Sequence, residues 1–222
     1  MGVITALEVQ KRNKERVNVY LDGEYAFSLT LIEAARLHKG QTLDEAEVEA
    51  LRDQNTIIKA VDQAARFLAH RPRSVNEVRR NLSRKQMPDA VVDAALSRLE
   101  AMGYLDDHAF ARYWLENRTT FKPRGAMALR YELRQKGVTD TVIDSVLEDL
   151  DEHDAAIRAG RQKVSRYSGL TRREFKNKLG SYLQRRGFSY PTSRDVIEQI
   201  AAELASENAD FFIEADEDDD YA

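Results

Sequence analysis

The stretch Ser74-Val-Asn-Glu-Val-Arg-Arg-Asn-Leu-Ser-Arg-Lys85 returns 51 residues later as Gly125-Ala-Met-Ala-Leu-Arg-Tyr-Glu-Leu-Arg-Gln-Lys136. At this offset Val78 falls on Leu129, Leu82 on Leu133 and Lys85 on Lys136. Further along, Val91, Val92, Leu96 and Leu99 fall on Val142, Ile143, Leu147 and Leu150. Apolar positions at helical spacing and basic positions repeat in one register. Such a pattern describes a modular helical protein in which each unit buries its apolar face with its neighbours.

Working outward, each unit reads as three short helices. In the first, Ile57, Ile58, Val61, Ala64, Ala65 and Leu68 form a helix face that stops before Pro72. Ser74-x-x-Glu77 has the spacing of a capping box for the second helix, and Pro88 suits the first turn of the third. The second unit holds Phe110, Tyr113, Trp114 and Phe121 on its first helix, breaks at Pro123 and closes its second helix at Gly137. Thr139 or Asp140 caps its third. A third, stretched copy places Phe175 and Leu179 where Leu129 and Leu133 stood. Thr171-x-x-Glu174 serves as its capping box, and Val196, Ile197, Ile200 and Leu204 form the closing stripe. The expected boundaries are 57–107, 108–152 and 153–206.

Residues 1–56 read differently. Ile4–Gln10, Arg16–Leu21 and Glu24–Leu29 alternate apolar and polar residues, and Asp22-Gly23 between two such runs signals a type I′ hairpin. A three-stranded meander is expected, with Val17, Val19 and Leu21 opposed to Tyr25, Phe27 and Leu29. Short helices follow, Thr42-Leu-Asp-Glu45 resembling a capping box before Ala46–Arg52. At the other end, 207–222 carry eight acidic residues and no basic one, and read as a disordered acidic tail. The fold class is thus mainly α: three tandem three-helix repeats forming a curved array, preceded by a small β-meander.

The net charge of −4 conceals an asymmetry: residues 153–206 carry eleven basic against five acidic side chains. The tail either solvates the chain or folds back on this third unit. The chain has no cysteine, which excludes a disulfide framework and a thiolate metal site. His38, His70, His108 and His153 are scattered without metal-ligand spacing, and no Gly-rich phosphate loop exists. No catalytic residue, metal ligand or cofactor is expected, and an enzyme is disfavoured. The N-terminus lacks the basic start and apolar run of a signal peptide, and no stretch approaches eighteen apolar residues. The expectation is a cytoplasmic protein with no membrane partner.

What repeats on the surface is cationic. Arg79, Arg130 and Lys176 occupy one mid-helix position; Lys85, Lys136 and Arg186 occupy another, at helix C-termini. Arg80, Arg84, Arg134 and Arg185 lie beside them. An aligned stripe of this kind tracks a phosphate backbone or an acidic groove. For the C-terminal column the helix dipole is a competing cause, favouring a cation there by about 0.3–1 kcal/mol. The mid-helix column competes with an ordinary solvated face. Tyr113, Trp114 and Phe121 either stack on unpaired bases or belong to the core. Tyr104-Leu-Asp-Asp107 either recognises a ligand or links units, with Asp as an N-cap and Tyr104 and Leu105 packed between repeats.

Several segments together resemble the RecX family of bacterial recombination regulators. They are Phe67-Leu-Ala-His-Arg-Pro-Arg-Ser74, Glu77-Val-Arg-Arg-Asn-Leu82, Leu99-Glu-Ala-Met-Gly-Tyr-Leu-Asp-Asp107 with Phe110-Ala-Arg112, Lys122-Pro-Arg-Gly125 and Leu129-Arg-Tyr-Glu-Leu-Arg-Gln-Lys-Gly137. The resemblance spans about residues 57–206. It departs at Gln86, where the family pattern usually has Gly after the Lys, and at Lys122, where Gly more usually precedes the Pro. The resemblance implies three tandem three-helix repeats and a monomeric modulator of RecA. Such a protein binds in the groove of the RecA–DNA filament and inhibits recombinase and ATPase activity in DNA repair, recombination and the SOS response. Contact with single- or double-stranded DNA is expected only weakly or through the filament. The alternatives are a general DNA-binding helical-repeat module without RecA specificity and a scaffold that works through its β-meander. The contact residues expected are Arg79, Arg80, Arg84, Lys85, Arg130, Arg134, Lys136, Lys176, Arg185 and Arg186.

Overall fold

The structure, a computed structural model, describes residues 1–213 and resolves the chain into two compact units. The first comprises 1–73 and 77–105; the second comprises 74–76 and the chain from 106 onward.

The first unit opens with β1 (Gly2–Val9), β2 (Arg16–Leu21) and β3 (Glu24–Thr30), the antiparallel meander expected from the alternation. Asp22 and Gly23 take φ of 51° and 91°, the paired left-handed values that a type I′ turn requires. Val17 faces Leu29 and Val19 faces Phe27, as expected. The register then shifts, so that Tyr20 meets Tyr25 and Leu21 meets Glu24. Beyond α1 (Leu31–Ala34), a short strand β4 (Thr42–Leu43) pairs with β1, making four strands in the order β3-β2-β1-β4. Thr42 is therefore a strand residue and not a cap. The capping box sits two residues later, where Asp44 and Glu47 exchange side-chain bonds with each other's backbone.

That box starts α2 (Glu45–Leu68), one helix of 24 residues where a short helix and a boundary at 56/57 were expected. The polar run Asp53-Gln-Asn-Thr56 contains no Gly or Pro, so nothing interrupts the helix there. Val48 and Leu51 cover the sheet core of Ile4, Val19, Phe27, Leu29 and Leu43. Buried Asn55 ties helix to sheet by accepting from Arg16, whose guanidinium also donates to the Ser28 carbonyl and hydroxyl at 3.0 Å. Farther along, Ala60 and Ala64 are fully buried and α2 packs on α4 (Asp89–Ala101). With α3 (Val75–Ser83), whose Val78 and Leu82 are also fully buried, these helices form the first repeat.

The second unit holds two further repeats. In the first of them, α5 (Asp107–Phe121), α6 (Ala126–Gln135) and α7 (Asp140–Leu147) surround Phe110, Leu129, Leu133, Ile143 and Val146. Asp106 is the N-cap of α5, accepting from the backbone of His108 and Ala109 at 2.8 and 3.0 Å. Leu105 is buried, whereas Tyr104 is 68% exposed and does not pack inward. In the last repeat α8 (Glu152–Val164), α9 (Arg172–Arg185) and α10 (Tyr190–Glu207) enclose Ala156, Phe175, Leu179, Leu183, Val196 and Ile200. Thr171 and Glu174 form the capping box read from the sequence.

The described part of the expected tail, 207–213, is packed on the third repeat. Phe211 is buried, and Phe211 and Phe212 lie edge-on to Phe175 at 6.1 and 5.2 Å. β6 (Phe212–Ile213) pairs in parallel with β5 (Leu170–Thr171). Two aromatic rings supply the apolar area that the surrounding acidic composition lacks. The rest of the expected tail, residues 214–222, lies outside the described residues.

Candidate nucleic-acid and protein interface

The mid-helix column is held by a second, acidic column. Arg79 on α3 pairs with Asp93 on α4 at 2.5 Å. Arg130 on α6 pairs with Asp144 on α7. Lys176 on α9 donates to both carboxylate oxygens of Glu198 on α10 at 2.6 and 2.8 Å. Each pair ties the second helix of a repeat to its third. Asp144 stands 51 residues after Asp93, the offset of the basic column itself, so the sequence already held the signal for these partners. The side chains keep 35–59% of their exposure, and such surface pairs contribute at most about 1 kcal/mol each. Their main effect is to neutralise the cations and fix their direction.

Arg134 is also engaged, bonding Asp140 across α6 and α7 at 2.6 Å. That bond raises the Arg134 guanidinium and holds the Asp140 carboxyl below the ordinary carboxylate range.

The helix-end column belongs to a repeated joint. Lys136 and Arg186 are the C-caps of α6 and α9, each followed by a glycine with φ of 81° or 82°. Ser74 Oγ donates to the Lys136 carbonyl at 2.6 Å, and the Val75 N–H donates to Asp107 at 2.9 Å. The donors recur 51 residues on: the Gly125 N–H donates to the Arg186 carbonyl at 3.1 Å, and the Ala126 N–H donates to Glu152 at 3.0 Å. The backbones approach so closely that a Cβ on Gly187 would lie 2.5 Å from the Ala128 nitrogen. The Lys136 ammonium lies 5.0 Å from the centre of the Trp114 ring, and the Arg186 guanidinium lies 5.2 Å from that of Tyr182. Both are cation–π distances.

Trp114 is therefore committed: its ring also carries Arg118 at 4.5 Å, and its indole N–H donates to Glu132 at 2.8 Å. Glu132 gathers Arg118 and Arg124 as well, at 2.7 and 2.8 Å. Of the other aromatic leads, Phe121 is 70% exposed and Tyr113 is at the edge of exposure.

Four of the ten expected contact residues stay unengaged. Arg80, Arg84 and Lys85 are exposed on α3 and the turn after it, with no acidic partner among the described residues. Arg185 is exposed at the end of α9 in the same condition. Arg80 and Arg84 are one helical turn apart on a common face. Among the described residues no cluster of His, Asp or Glu could hold a metal ion, and no helix is long and apolar enough to cross a membrane.

Four family models match consecutive segments. They are the regulatory protein RecX N-terminal domain over 2–44 and the first, second and third RecX three-helix domains over 60–99, 106–147 and 151–197. The chain belongs to the RecX family. Curated relatives named regulatory protein RecX agree. That of Lactobacillus delbrueckii subsp. bulgaricus is 34% identical, covering 91% of this chain and 76% of the relative. That of Clostridium botulinum is 32% identical, covering 90% and 96%. The crystal structure of a regulatory protein RecX superposes with a TM-score of 0.75 at 28% identity, covering 91% of this chain and all of that one. The RecX of Lactobacillus salivarius shares the fold, with a TM-score of 0.60 at 21% identity over 69% of this chain. RecX membership places the chain among regulatory proteins. The RecX N-terminal model ends at 44, where α2 begins, so this helix connects the β region to the first RecX repeat without a linker.

Proposed function

We propose that this RecX-family chain binds the RecA–DNA filament and restrains RecA's strand exchange and ATP hydrolysis, acting as a cytoplasmic monomer without catalytic residues. The observation that carries this reading is the match to RecX along nearly the whole chain, N-terminal region and all three repeats included. The unengaged cations Arg80, Arg84, Lys85 and Arg185 are the leading contact residues, since they reach an acidic partner without first breaking an internal pair. Arg79, Arg130, Arg134 and Lys176 serve first as latches within repeats, and Lys136 and Arg186 as parts of the joints.

Binding is tested by titrating the protein against RecA-coated DNA and bare DNA of equal length. Tighter binding to the filament is expected, with the Arg80/Arg84/Lys85 triple alanine variant weakened. Equal affinity for both would favour the general DNA-binding module.

A further inference from the structure

Phe211 and Phe212 seat a strand that brings the acidic end of the sequence to a cationic surface. The Gly169 N–H donates to the Phe211 carbonyl at 3.1 Å, and Phe212 and Ile213 lie opposite Leu170 and Thr171 in the β5–β6 pair. That pair is parallel, and Thr171 is the N-cap of α9. The chain therefore leaves Ile213 in the direction in which α9 starts, toward Arg172 and Arg173. Both are exposed, as is Arg166 in the 3₁₀ turn Ser165–Tyr167 that precedes β5.

This helix is the most basic of its kind. α9 carries five basic side chains and one acidic, whereas α3 and α6 carry two and one each. Its one acid, Glu174, is held in the cap by the Thr171 N–H and hydroxyl at 3.1 and 3.2 Å. Lys176 is held by Glu198, but Arg166, Arg172 and Lys178 form no ion pair among the described residues. The nine residues after Ile213, 214–222, hold six carboxylates and no cation. Nine residues span at most about 30 Å, and a 14-residue helix is about 21 Å long, so every cation from Arg166 to Lys178 is within reach.

We propose that the carboxylates of 214–220 are an intramolecular ligand of the surface formed by Arg166, Arg172, Arg173 and Lys178. An acidic partner of the third repeat must displace them. Tethering places the anion at an effective concentration on the order of millimolar, so individually weak exposed pairs suffice. A surface covered about four-fifths of the time has its apparent affinity for a competing anion lowered about fivefold. Salt releases the contact, because the screening length falls from about 10 Å at 0.1 M to about 3 Å at 1 M. The regulatory consequence rests on the proposed function, in which cations meet an acidic partner; the contact itself does not.

The test compares the full chain with a full-length variant whose tail is neutral: Glu214→Gln, Asp216→Asn, Glu217→Gln, Asp218→Asn, Asp219→Asn and Asp220→Asn. Amide NMR spectra at about 0.05 M salt are expected to differ at Arg166, Arg172, Arg173 and Lys178, and to coincide there at about 0.5 M. Differences confined to 214–222, or unchanged by salt, would overturn the inference. Affinity for the polyanion heparin supplies the second readout. Neutralising the tail raises the net charge by six and strengthens heparin binding at any cationic surface, so the comparison is a double-mutant cycle. Arg166→Gln with Arg172→Gln and Arg173→Gln should cost about fivefold in the neutral-tail chain and little in the parent, where the tail already covers these cations. An equal cost in both backgrounds would mean net charge alone and would also overturn it. Neither readout involves RecA, so a failure of the RecA reading leaves this inference standing, and its own failure leaves that reading standing.

Discussion

Gln86 has a backbone φ of 60° at the position that Gly137 and Gly187 fill in the later repeats. A side chain in the left-handed region costs about 1–2 kcal/mol, which glycine avoids. Gln86→Gly is therefore expected to stabilise the first unit by about 1 kcal/mol in urea unfolding. Gly187→Ala should do the reverse and by more, because it adds contact with the Ala128 backbone to the conformational cost. Asp106 gives a pH dependence. Its N-cap bonds, first to the Ala109 N–H, lower its pKa from 3.8, and burial only partly opposes them. A carboxylate depressed in the folded state contributes stability that is present above its unfolded pKa and lost as pH falls through the folded one. Stability should thus fall below about pH 4, and Asp106→Asn should flatten that part of the profile, read by urea midpoints from pH 2.5 to 6. The Gln86 departure was visible in the sequence, but the close approach that forbids a side chain at Gly187 was not. It depends on residues 59 apart, Ala128 and Gly187.

Pairs of helices tell the latches from the contact surface. Exchanging the charges at Arg130 and Asp144 should leave stability within about 1 kcal/mol of the parent, as exposed pairs do. It should also leave any effect on RecA intact, whereas alanine at Arg80, Arg84 and Lys85 should remove much of it. Each lost phosphate contact should also lower the slope of log affinity against log salt on duplex DNA by about 0.9. The second and third helices of each repeat were legible because apolar residues recur at helical spacing and both faces repeat. The acidic partners were equally legible at the same offset, Asp93 on Asp144, but a search for cations alone passes over them. The continuity of α2 is not legible because the apolar spacing lapses across its polar middle, Asp53-Gln-Asn-Thr56. Only Arg16 reaching Asn55 and the sheet shows why that stretch stays helical and buried on one side.

Across the chain, the segment after α10 packs on the third repeat because Phe211 and Phe212 enter its core. Composition hid this: two rings in an acidic segment change its average little, yet large aromatic side chains dominate burial. Phe211→Ala should cost the third repeat about 3–5 kcal/mol, seen as faster hydrogen exchange in α8–α10 with less change in α2–α4. The central claim is that the chain restrains RecA. It is tested most directly by adding the protein below RecA stoichiometry and following ATP hydrolysis and strand exchange on the same DNA. The account predicts that both slow, and that the Arg80/Arg84/Lys85 triple alanine variant loses most of this effect; unchanged hydrolysis and exchange with the parent protein would contradict it.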